Sequence, residues 1–581
     1  MHSFQVWAPA PGKVEVQAEG KRYPMVRRAD GWWTAEVAEA GPGTDYGFVL
    51  DGAGPFPDPR SPSQPNGVHG PSRLVAEAGF SWTDRHFRAR PLPGAVIYEL
   101  HVGTFTPAGT FLSGIEKLEH LTSLGVTHVE LMPVVEFSGQ HGWGYDGVDL
   151  FAPHHAYGAP EDLKRLVEAC HARGLAVILD VVYNHLGPAG NYLGKYGPYF
   201  TNKFATFWGQ GINFDGPDSG EVRRFCCDNA LRWLRDFHMD GLRLDAVHGI
   251  LDTSATHILE QLKIEVENLS AQTGRQLVLI PESDLNDPRL LWSRERGGYQ
   301  LDAQWSDDFH HALHTVLTGE TTGYYSDFGK LEHLGKSLQH AFVYNGTYSG
   351  HRRRVHGRPA DGLSGHRFVG YLQNHDQVGN RAMGDRSGRL MSPGRLKMGA
   401  ALVLTSPFTP LLFQGEEWAA STPFCFFTDY QEPELARAVR EGRCREFEAF
   451  GWQPGATADP QAPETFAGSK LNWEEVSGAP HAEMLEWHKR LIRLRRQEPS
   501  LSDGDLKSVR VRLDEERRWF VLERGPITVA CNLSRECQGL PMRAGECELL
   551  LASEAGIDLT DRHADLPPDS VAIIRQREPI T

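Results

Sequence analysis

No two cysteines in this sequence have the paired spacing of a zinc site or a disulfide framework, although the 581-residue chain contains eight. The chain also lacks an apolar run of about 18 residues, so we expect no membrane-spanning helix. Its start, MHSFQVWAPAPGKVEV, has no basic segment followed by an apolar one. We therefore expect no signal peptide, and a cytoplasmic protein with reduced thiols.

A shortage of positive charge excludes another class of partners. The formal net charge is −16, which disfavours nucleic acid and anionic lipid as ligands over most of the surface. Apolar residues make up 40% of the chain, as in an ordinary globular protein. Fourteen tryptophans and sixteen tyrosines provide aromatic rings for a core and for stacking on a neutral ligand such as a sugar.

Both ends of the chain show the pattern of small β-domains. Residues 1–90 predict an N-terminal β-sandwich, in which Val14–Ala18 alternates with period two and Trp32–Val37 is also strand-like. The proline-rich stretch 56–72 cannot form regular structure and should lie along a neighbouring surface. Residues 501–581 return to short alternating strands and predict a C-terminal β-sandwich. Their strand candidates are Val509–Val511, Trp519–Glu523 and Ile527–Ala530.

Residues 91–500 alternate short apolar runs with amphipathic segments. Near-continuous apolar runs are typical of parallel strands buried on both faces. The eight candidates are 95–102, 126–134, 175–182, 241–247, 277–283, 301–305, 368–374 and 407–415. Helices fit between most of them, for example over Pro160–Arg173 and Gly220–Phe237. The pattern predicts an α/β fold, a (β/α)8 TIM barrel, with larger insertions after strands two, three and six.

Charged side chains follow several of these strands at the end where TIM barrels carry their active sites. Asp245 follows strand four, Glu282 strand five and Asp376 strand seven. A single aspartate at such a place is usually a turn or helix cap. Three carboxylates together are hard to explain in that way, because burying charge destabilises a protein unless the charges are paired or needed for function.

Paired carboxylates that face one cavity are typical of glycoside hydrolysis. Asp245 and Glu282 belong to neighbouring strands, which favours the short carboxyl separation of a retaining enzyme. Asp245 would be the nucleophile, kept ionised by Arg243 two residues earlier. Glu282 follows an apolar segment, 279–281, and is better suited to hold a proton as general acid. Asp376 would bind sugar hydroxyls more tightly as the ring distorts.

The strings DVVYNH, GLRLDAVH, IPES and LQNHD resemble, in order and spacing, the four signature regions of the α-amylase superfamily. The resemblance implies Asp245 as nucleophile, Glu282 as acid/base and Asp376 as the residue that stabilises the transition state. It further implies that the sugar in subsite −1 is contacted by Tyr145, His185, Arg243 and His375.

Longer segments resemble one subfamily, the maltooligosyltrehalose trehalohydrolases. They include 56–72, 245–254, LDAQWSDDFHHALH at 301–314 and the stretch 423–452. The resemblance implies hydrolysis of the α-1,4 bond next to a terminal trehalose, with maltooligosyltrehalose or a related α-glucan as substrate. A glycogen branching enzyme, a debranching enzyme and a non-catalytic glucan-binding protein on the same fold are the alternatives.

The plus subsites, which hold the leaving sugar, are the least defined by sequence. His248 stands where many α-amylases have a lysine near subsite +1. The other candidates for this side are Trp305, Asp308 and Phe309, with Asp308 as a hydroxyl acceptor. Trp208 has a ring suited to stacking on a sugar. The basic run 351–356 is either a solvated loop or part of these subsites.

We expect neither a metal ion nor a cofactor in the active site, and the sequence does not decide whether a structural metal ion binds elsewhere. His310 and His314 have the spacing of one helix face, but a metal-binding signature around them is missing. The run 142–147 matches GxGxxG without the strand before it and the helix after it that a dinucleotide site requires. The sequence contains no indication of an oligomeric state.

Overall fold

A computed structural model describes residues 1–76, 79–206, 209–449, 457–543, 545–560 and 562–577, without the side chains of 205, 446–449 and 577. Trp208, predicted at the rim of the site, lies outside the described residues. Across those ranges, every helix is too short or too polar to cross a membrane.

The N-terminal region forms two antiparallel sheets. One contains His2–Trp7, Trp32–Val37 and Val26–Arg27; the other contains Lys21–Pro24, Val14–Ala18, Asp45–Leu50 and Ala53–Phe56, with Ser72–Arg73 also paired to Asp45–Leu50. Alternate residues of Val14–Ala18 are buried, as the period-two pattern predicts. The proline-rich stretch lies against the barrel as predicted, with Arg60 2.9 Å from the Asp228 carboxylate.

Eight parallel strands form the barrel, and all eight sequence predictions are confirmed. The strands, numbered one to eight in chain order, are Ile97–Leu100, His128–Leu131, Ala176–Val181, Gly241–Leu244, Val278–Pro281, Gln304–Trp305, Phe368–Gly370 and Thr409–Phe413. Strands five and six meet where the N–H of Asp302 donates to the Leu279 carbonyl at 2.9 Å. Each strand is shorter than the apolar run that predicted it, and most runs continue beyond the strand into the loop at its carboxyl end.

Helices surround the strands and connect them. Those of the barrel are Val102–Phe105, Phe111–Ile115, Leu118–Leu124, Pro160–His171, Leu193–Tyr196, Ser219–Asp236, Ile258–Thr273, Asp307–Thr318, Leu331–His340, His375–Gly379, Ser387–Leu390, Pro393–Thr405, Pro433–Ala449, Pro463–Gly468 and His481–Gln497. The predicted helices at 160–173 and 220–237 are confirmed within two residues at each end.

Insertions follow strands two, three and six, as predicted. Hairpins mark them: Val135–Glu136 with Asp149–Pro153, Phe200–Thr206 with Gly209–Ile212, and Thr347–Ser349 with Arg354–His356. A further insertion, which the sequence analysis did not place, follows strand eight and includes the helix Pro433–Ala449. It reaches back over the carboxyl ends of the strands.

The C-terminal region is a pair of antiparallel sheets. The larger has the order Val509–Asp514, Trp519–Arg524, Ile527–Asn532, Ser570–Arg577 and Glu546–Ala552, and the smaller has the order Gln538–Pro541, His563–Leu566 and Asp558–Leu559. All three strand candidates predicted here are present. Arg395 on a barrel helix pairs with Asp569 at 2.8 Å and attaches this region to the barrel.

Candidate active site

The carboxyl ends of the barrel strands surround a cavity of about 520 Å³. Its lining contains seven of the residues predicted from sequence: Tyr145, His185, Asp245, His248, Glu282, His375 and Asp376. These residues come from five different loops, so the barrel brings together side chains that are up to 231 positions apart, between Tyr145 and Asp376.

One buried guanidinium connects two of the carboxylates. Arg243 is 0% exposed, and its Nη1 donates to Asp245 Oδ1 at 2.7 Å. Its Nη2 lies 2.8 Å from Glu282 Oε2. Nη1 also donates to both oxygens of Asp180, at 2.9 and 2.8 Å. Asp245 and Glu282 are therefore held as close neighbours by a single rigid, permanently charged group.

Asp245 is surrounded by groups that favour its ionised form. Asn184 donates to its Oδ2 at 2.8 Å, on the side opposite Arg243. Burial by itself would raise the pKa of Asp245, but Arg243, His185 and Asn184 together hold that pKa below its ordinary value. The side chain is thus an anion near neutral pH, with its oxygens fixed in direction.

Glu282 is perturbed in the opposite sense. Burial and the negative charges of Asp245 and Asp376 raise the pKa of Glu282 above its ordinary value, although Arg243 opposes them. The N–H of Ala246 donates to Oε2 at 2.9 Å and fixes the orientation of the carboxyl. The pKa values of these two neighbouring carboxyl groups are therefore shifted in opposite directions. One site can in this way hold a protonated acid beside an ionised nucleophile.

Asp376 lies at the beginning of the short helix His375–Gly379. Asn374 caps this helix, and its Oδ1 accepts from the N–H of Asp376 at 3.0 Å. The side chain is 36% exposed to the cavity, with Oδ1 3.5 Å from His375 Nε2. Asn380 donates to the same Oδ1 at 3.1 Å. The carboxylate is thus oriented by the helix and remains open to a ligand.

Tyr145 and His375 form one wall of the cavity. The Tyr145 hydroxyl donates to Asp180 Oδ2 at 2.6 Å, and its ring stacks on His375 with 5.0 Å between ring centres. His375 Nδ1 is hydrogen-bonded to Glu99. Burial disfavours its cation, but Asp376 and Glu99 raise the pKa of His375 to about 9. His375 is therefore a charged hydrogen-bond donor with a fixed direction, which is suited to binding a sugar hydroxyl.

His185, on the far side of Asp245, is held by its neighbour in sequence. Its Nδ1 is hydrogen-bonded to Asn184 Oδ1, so Asn184 orients both His185 and Asp245. Asn184 is 1% exposed and is fully used by these contacts.

Two of the aromatic residues predicted for the plus subsites are core residues. Trp305 is 1% exposed inside the barrel, with the Arg243 guanidinium carbon 4.3 Å from its ring centre. Phe309 is 0% exposed and packs on Phe408. The helix Asp307–Thr318 begins directly after strand six and turns this segment inward instead of leaving it as a rim loop.

Asp308 is likewise directed into the protein and does not line the cavity. Its Oδ2 accepts from the N–H groups of Val343 and Tyr344, at 2.7 and 2.9 Å, and from Asn286 Nδ2 at 2.9 Å. With three donors on one buried oxygen, the side chain organises the chain around residue 343. It is not available as a hydroxyl acceptor for substrate.

His248 does lie at the cavity, beside a carboxylate that the sequence analysis did not name. Its Nδ1 is 3.9 Å from Asp284 Oδ1, and Arg352 from the basic run lies 3.4 Å from Asp284 Oδ2. Asp284 follows Glu282 by two residues and is 44% exposed. The plus-side candidates are therefore a polar cluster of these three residues.

Sequence reasoning also missed the contribution of the insertion after strand eight. The residues of this insertion that line the cavity are Phe426, Thr428, Tyr430, Val439 and Arg443. Asn380, which follows strand seven, lines it too and was also not predicted. The Arg443 guanidinium carbon is 4.2 Å from the Phe426 ring centre. The segment 423–452 was already conspicuous as a resemblance, but its sequence does not show which of its side chains face the cavity.

Asp307, next to the predicted Asp308, is a further missed carboxyl group. Its Oδ1 accepts from the Tyr371 hydroxyl at 2.5 Å. Burial and the nearby Glu282 raise the pKa of Asp307 to about 8, so it holds a proton at neutral pH. Its place beside Glu282 puts it on the acid side of the site.

Comparisons with known proteins agree over the whole chain. The family described as "Alpha amylase, catalytic domain" matches residues 85–209, and a domain of unknown function, DUF3459, matches residues 504–573. A malto-oligosyltrehalose trehalohydrolase of Arthrobacter ramosus is 51% identical, over 98% of this chain and 99% of the relative. One from Rhizobium sp. (strain M-11) is 49% identical, over 98% and 97%. A crystal structure from Salmonella typhimurium, provisionally described as an alpha amylase, is 40% identical with a TM-score of 0.91, over 99% and 97%.

Proposed function

Because the chain belongs to the malto-oligosyltrehalose trehalohydrolase family, we propose that it hydrolyses the α-1,4-glucosidic bond next to the terminal trehalose of maltooligosyltrehalose and releases trehalose. The observation that carries the proposal is the Arg243 guanidinium that joins two carboxyl groups of opposite pKa shift. Neighbouring carboxyl groups of this kind are suited to a retaining glycosidase.

In the first step, Asp245 attacks the anomeric carbon of the glucose in subsite −1. Glu282 gives its proton to the glycosidic oxygen, so that trehalose leaves as a neutral alcohol and a β-glucosyl ester forms on Asp245. In the second step, Glu282, now ionised, takes a proton from water, and the resulting hydroxide opens the ester. The product therefore regains the α configuration, and both carboxyl groups return to their starting states.

The remaining residues stabilise charge and position the sugar. Arg243 keeps Asp245 ionised before the attack. Asp376 and the protonated His375 bind ring hydroxyls, more strongly once the sugar flattens toward an oxocarbenium ion. Tyr145 supplies an aromatic face beside the same sugar.

Product analysis tests this function. We expect maltopentaosyltrehalose to give trehalose and maltopentaose, faster than maltoheptaose of the same length is cut. Proton NMR at early times should show the newly formed reducing end as the α-anomer. Early β-anomer would contradict a retaining mechanism. New α-1,6 linkages, or equal rates on the two substrates, would instead support a branching enzyme or an ordinary amylase.

We also propose that the protein works in the cytoplasm. All eight cysteines are free thiols, and five of them are buried. This state is suited to a reducing compartment. Cell fractionation with an antibody against the chain tests it, and recovery outside the cytoplasmic fraction would contradict it.

A further inference from the structure

Three side chains that commonly bind transition metals converge at the hairpin after strand two. Glu136 ends one hairpin strand, and His154 and His155 directly follow the other, Asp149–Pro153. The N–H of His154 donates to the Val134 carbonyl at 2.7 Å, which brings the two histidines beside Glu136. Their ligand atoms all lie within 4.8 Å of one another.

The spacing of these atoms is close to that of a coordination sphere. Zinc binds imidazole nitrogen and carboxylate oxygen at about 2.0–2.2 Å, so two ligand atoms of a tetrahedral site are about 3.4 Å apart. His154 Nδ1 is 3.4 Å from Glu136 Oε2, and His155 Nδ1 is 2.8 Å from Glu136 Oε1. The first pair already has the separation that a shared ion requires, and the second would need to open by about 0.6 Å.

The state of His154 is a second, independent observation. Its side chain is 0% exposed and its ring stacks on Phe137 with 3.7 Å between ring centres. Among the described residues, its Nε2 has no hydrogen-bond partner, and its Nδ1 has none beyond the 3.4 Å approach to Glu136 Oε2. Buried polar atoms are nearly always satisfied in native proteins, and an exception calls for an explanation such as a bound ion. By contrast, the equally buried His171 uses both nitrogens, on Asp84 and Asp240.

We propose that Glu136, His154 and His155 bind one divalent ion of the zinc class. Two imidazoles and one carboxylate form a ligand set that zinc favours, and the fourth position would be taken by water. The His155 side chain is 19% exposed, which gives an ion and a water molecule access from that side.

The position of the site indicates what the ion would do. Residues 137–148 form the loop between the two hairpin strands, and this loop carries Trp143 and Tyr145 of the cavity wall. Glu136 lies immediately before the loop, and the histidines follow the strand that ends it. An ion bound to all three would therefore fix the base of the loop. Its role is structural, and the proposal does not depend on the proposed hydrolysis.

Metal titration of the full chain tests the proposal. Protein treated with chelator and then dialysed should bind one equivalent of Zn²⁺, measured by calorimetry. Cobalt as a substitute probe should give the visible absorption of a four-coordinate site. Zn²⁺ should also raise the melting temperature, because it binds only the folded state.

His155→Ala is the main variant, because this ligand is partly exposed and its removal should not prevent folding. We expect it to weaken Zn²⁺ binding by more than the roughly 10- to 100-fold that loss of an outer-shell partner causes. Glu136→Gln should do the same, and its circular dichroism shows whether it folds. The matched control is His69→Ala, which removes an exposed histidine paired with Glu432 at 3.1 Å and should leave binding unchanged.

Each outcome decides the question. One equivalent bound by the wild type and lost in His155→Ala supports the site. Absence of saturable binding would overturn it. So would equal binding by the wild type and His155→Ala, because it would assign the ion to adventitious surface histidines. All of these readouts concern binding and stability, so they leave the test of hydrolysis separate.

Discussion

Asn380 donates a hydrogen bond to the carboxylate of Asp376 at 3.1 Å and accepts one from Arg443 at 2.8 Å. Arg443 belongs to the helix Pro433–Ala449, in the insertion after strand eight. It also donates to the Gly379 carbonyl at 3.2 Å. The insertion therefore contacts the end of strand seven through the residue that orients Asp376. Asn380 and Arg443, which are far apart in sequence, thus together fix the orientation of the Asp376 carboxylate.

Replacing Arg443 should lower activity without unfolding the protein. Arg443→Ala removes the hydrogen bond that holds Asn380, so Asp376 should populate misdirected orientations. We expect kcat/KM to fall about 5- to 10-fold, in keeping with one hydrogen bond of about 1–1.5 kcal/mol. Steady-state kinetics with melting temperature as a second readout measures this.

Arg440→Ala is the control for that variant. Arg440 is on the same helix and pairs with Asp459 at 2.8 Å, but it is 48% exposed. Its loss should hardly change kcat/KM. A double variant of Arg443 and Asn380 should lose little more than either single variant, because both act on Asp376 through one chain of bonds. Fully additive losses would show that Arg443 acts elsewhere.

The opposite pKa shifts of Asp245 and Glu282 predict the pH profile. Asp245 must be ionised for activity. Because its pKa is lowered, the acid limb of kcat/KM should lie below the ordinary aspartate pKa of about 3.9. Glu282 must be protonated, and its raised pKa places the alkaline limb above the ordinary glutamate value of about 4.3. Activity should therefore rise with pH at the acid end and fall as Glu282 loses its proton.

An activated aryl α-glucoside separates the two limbs. Its leaving group needs little protonation, so the alkaline limb of the glycosylation step should weaken or disappear while the acid limb remains. Glu282→Gln should lower the rate of the glycosylation step much less with this substrate than with maltooligosyltrehalose. The same alkaline limb on both substrates would assign it to a group other than Glu282.

Removing the nucleophile should abolish most of the activity, and an added small nucleophile should restore part of it. Asp245→Ala should lose at least about three decades of kcat, on the order of 4 kcal/mol. Azide fits the space left by the carboxylate and should restore turnover as the β-glucosyl azide. Glu282→Ala with azide should give the α-azide instead, because its Asp245 ester still forms. Product NMR distinguishes the two, and an α-azide from Asp245→Ala would refute the assignment.

Much of the fold could be predicted because its signals are local. Each barrel strand is an apolar run that stays buried on both faces, and the strand ends carry Asp245, Glu282 and Asp376 to one cavity. Because parallel strands that close into a barrel have all their carboxyl ends on the same side, these residues are brought together by the fold alone. The three carboxylates predicted at strand ends therefore line one cavity.

The residues that the sequence did not place depend on tertiary direction. Asp307 and Asp308 are adjacent and chemically identical, but the helix that begins there turns one toward Tyr371 and Glu282 and the other toward buried backbone N–H groups. The sequence does not show how the helix is rotated about its axis, so it cannot predict which of two adjacent aspartates faces the cavity side and which faces the interior. Arg443 likewise depends on how the insertion folds back over the barrel.

Selectivity for trehalose should depend on Asp284 and not on Asp308. Asp284 follows Glu282 by two residues and lies near Arg352 and near His248, which lines the cavity. It is 44% exposed, so a hydrogen bond to the leaving disaccharide is partly screened by water. We expect Asp284→Ala to lower the ratio of kcat/KM for maltooligosyltrehalose over maltoheptaose by up to about tenfold, with little change in melting temperature.

Asp308→Ala is the matched comparison, since it also removes one aspartate that follows a barrel strand. Three buried donors would lose their acceptor, so the free energy of unfolding should fall by at least about 2 kcal/mol. Both substrates should be affected alike, because the damage spreads through the fold and not through the plus subsites. A changed substrate ratio in Asp308→Ala with an unchanged melting temperature would contradict this assignment. A substrate ratio in Asp284→Ala equal to that of the wild type would remove Asp284 from the plus subsites.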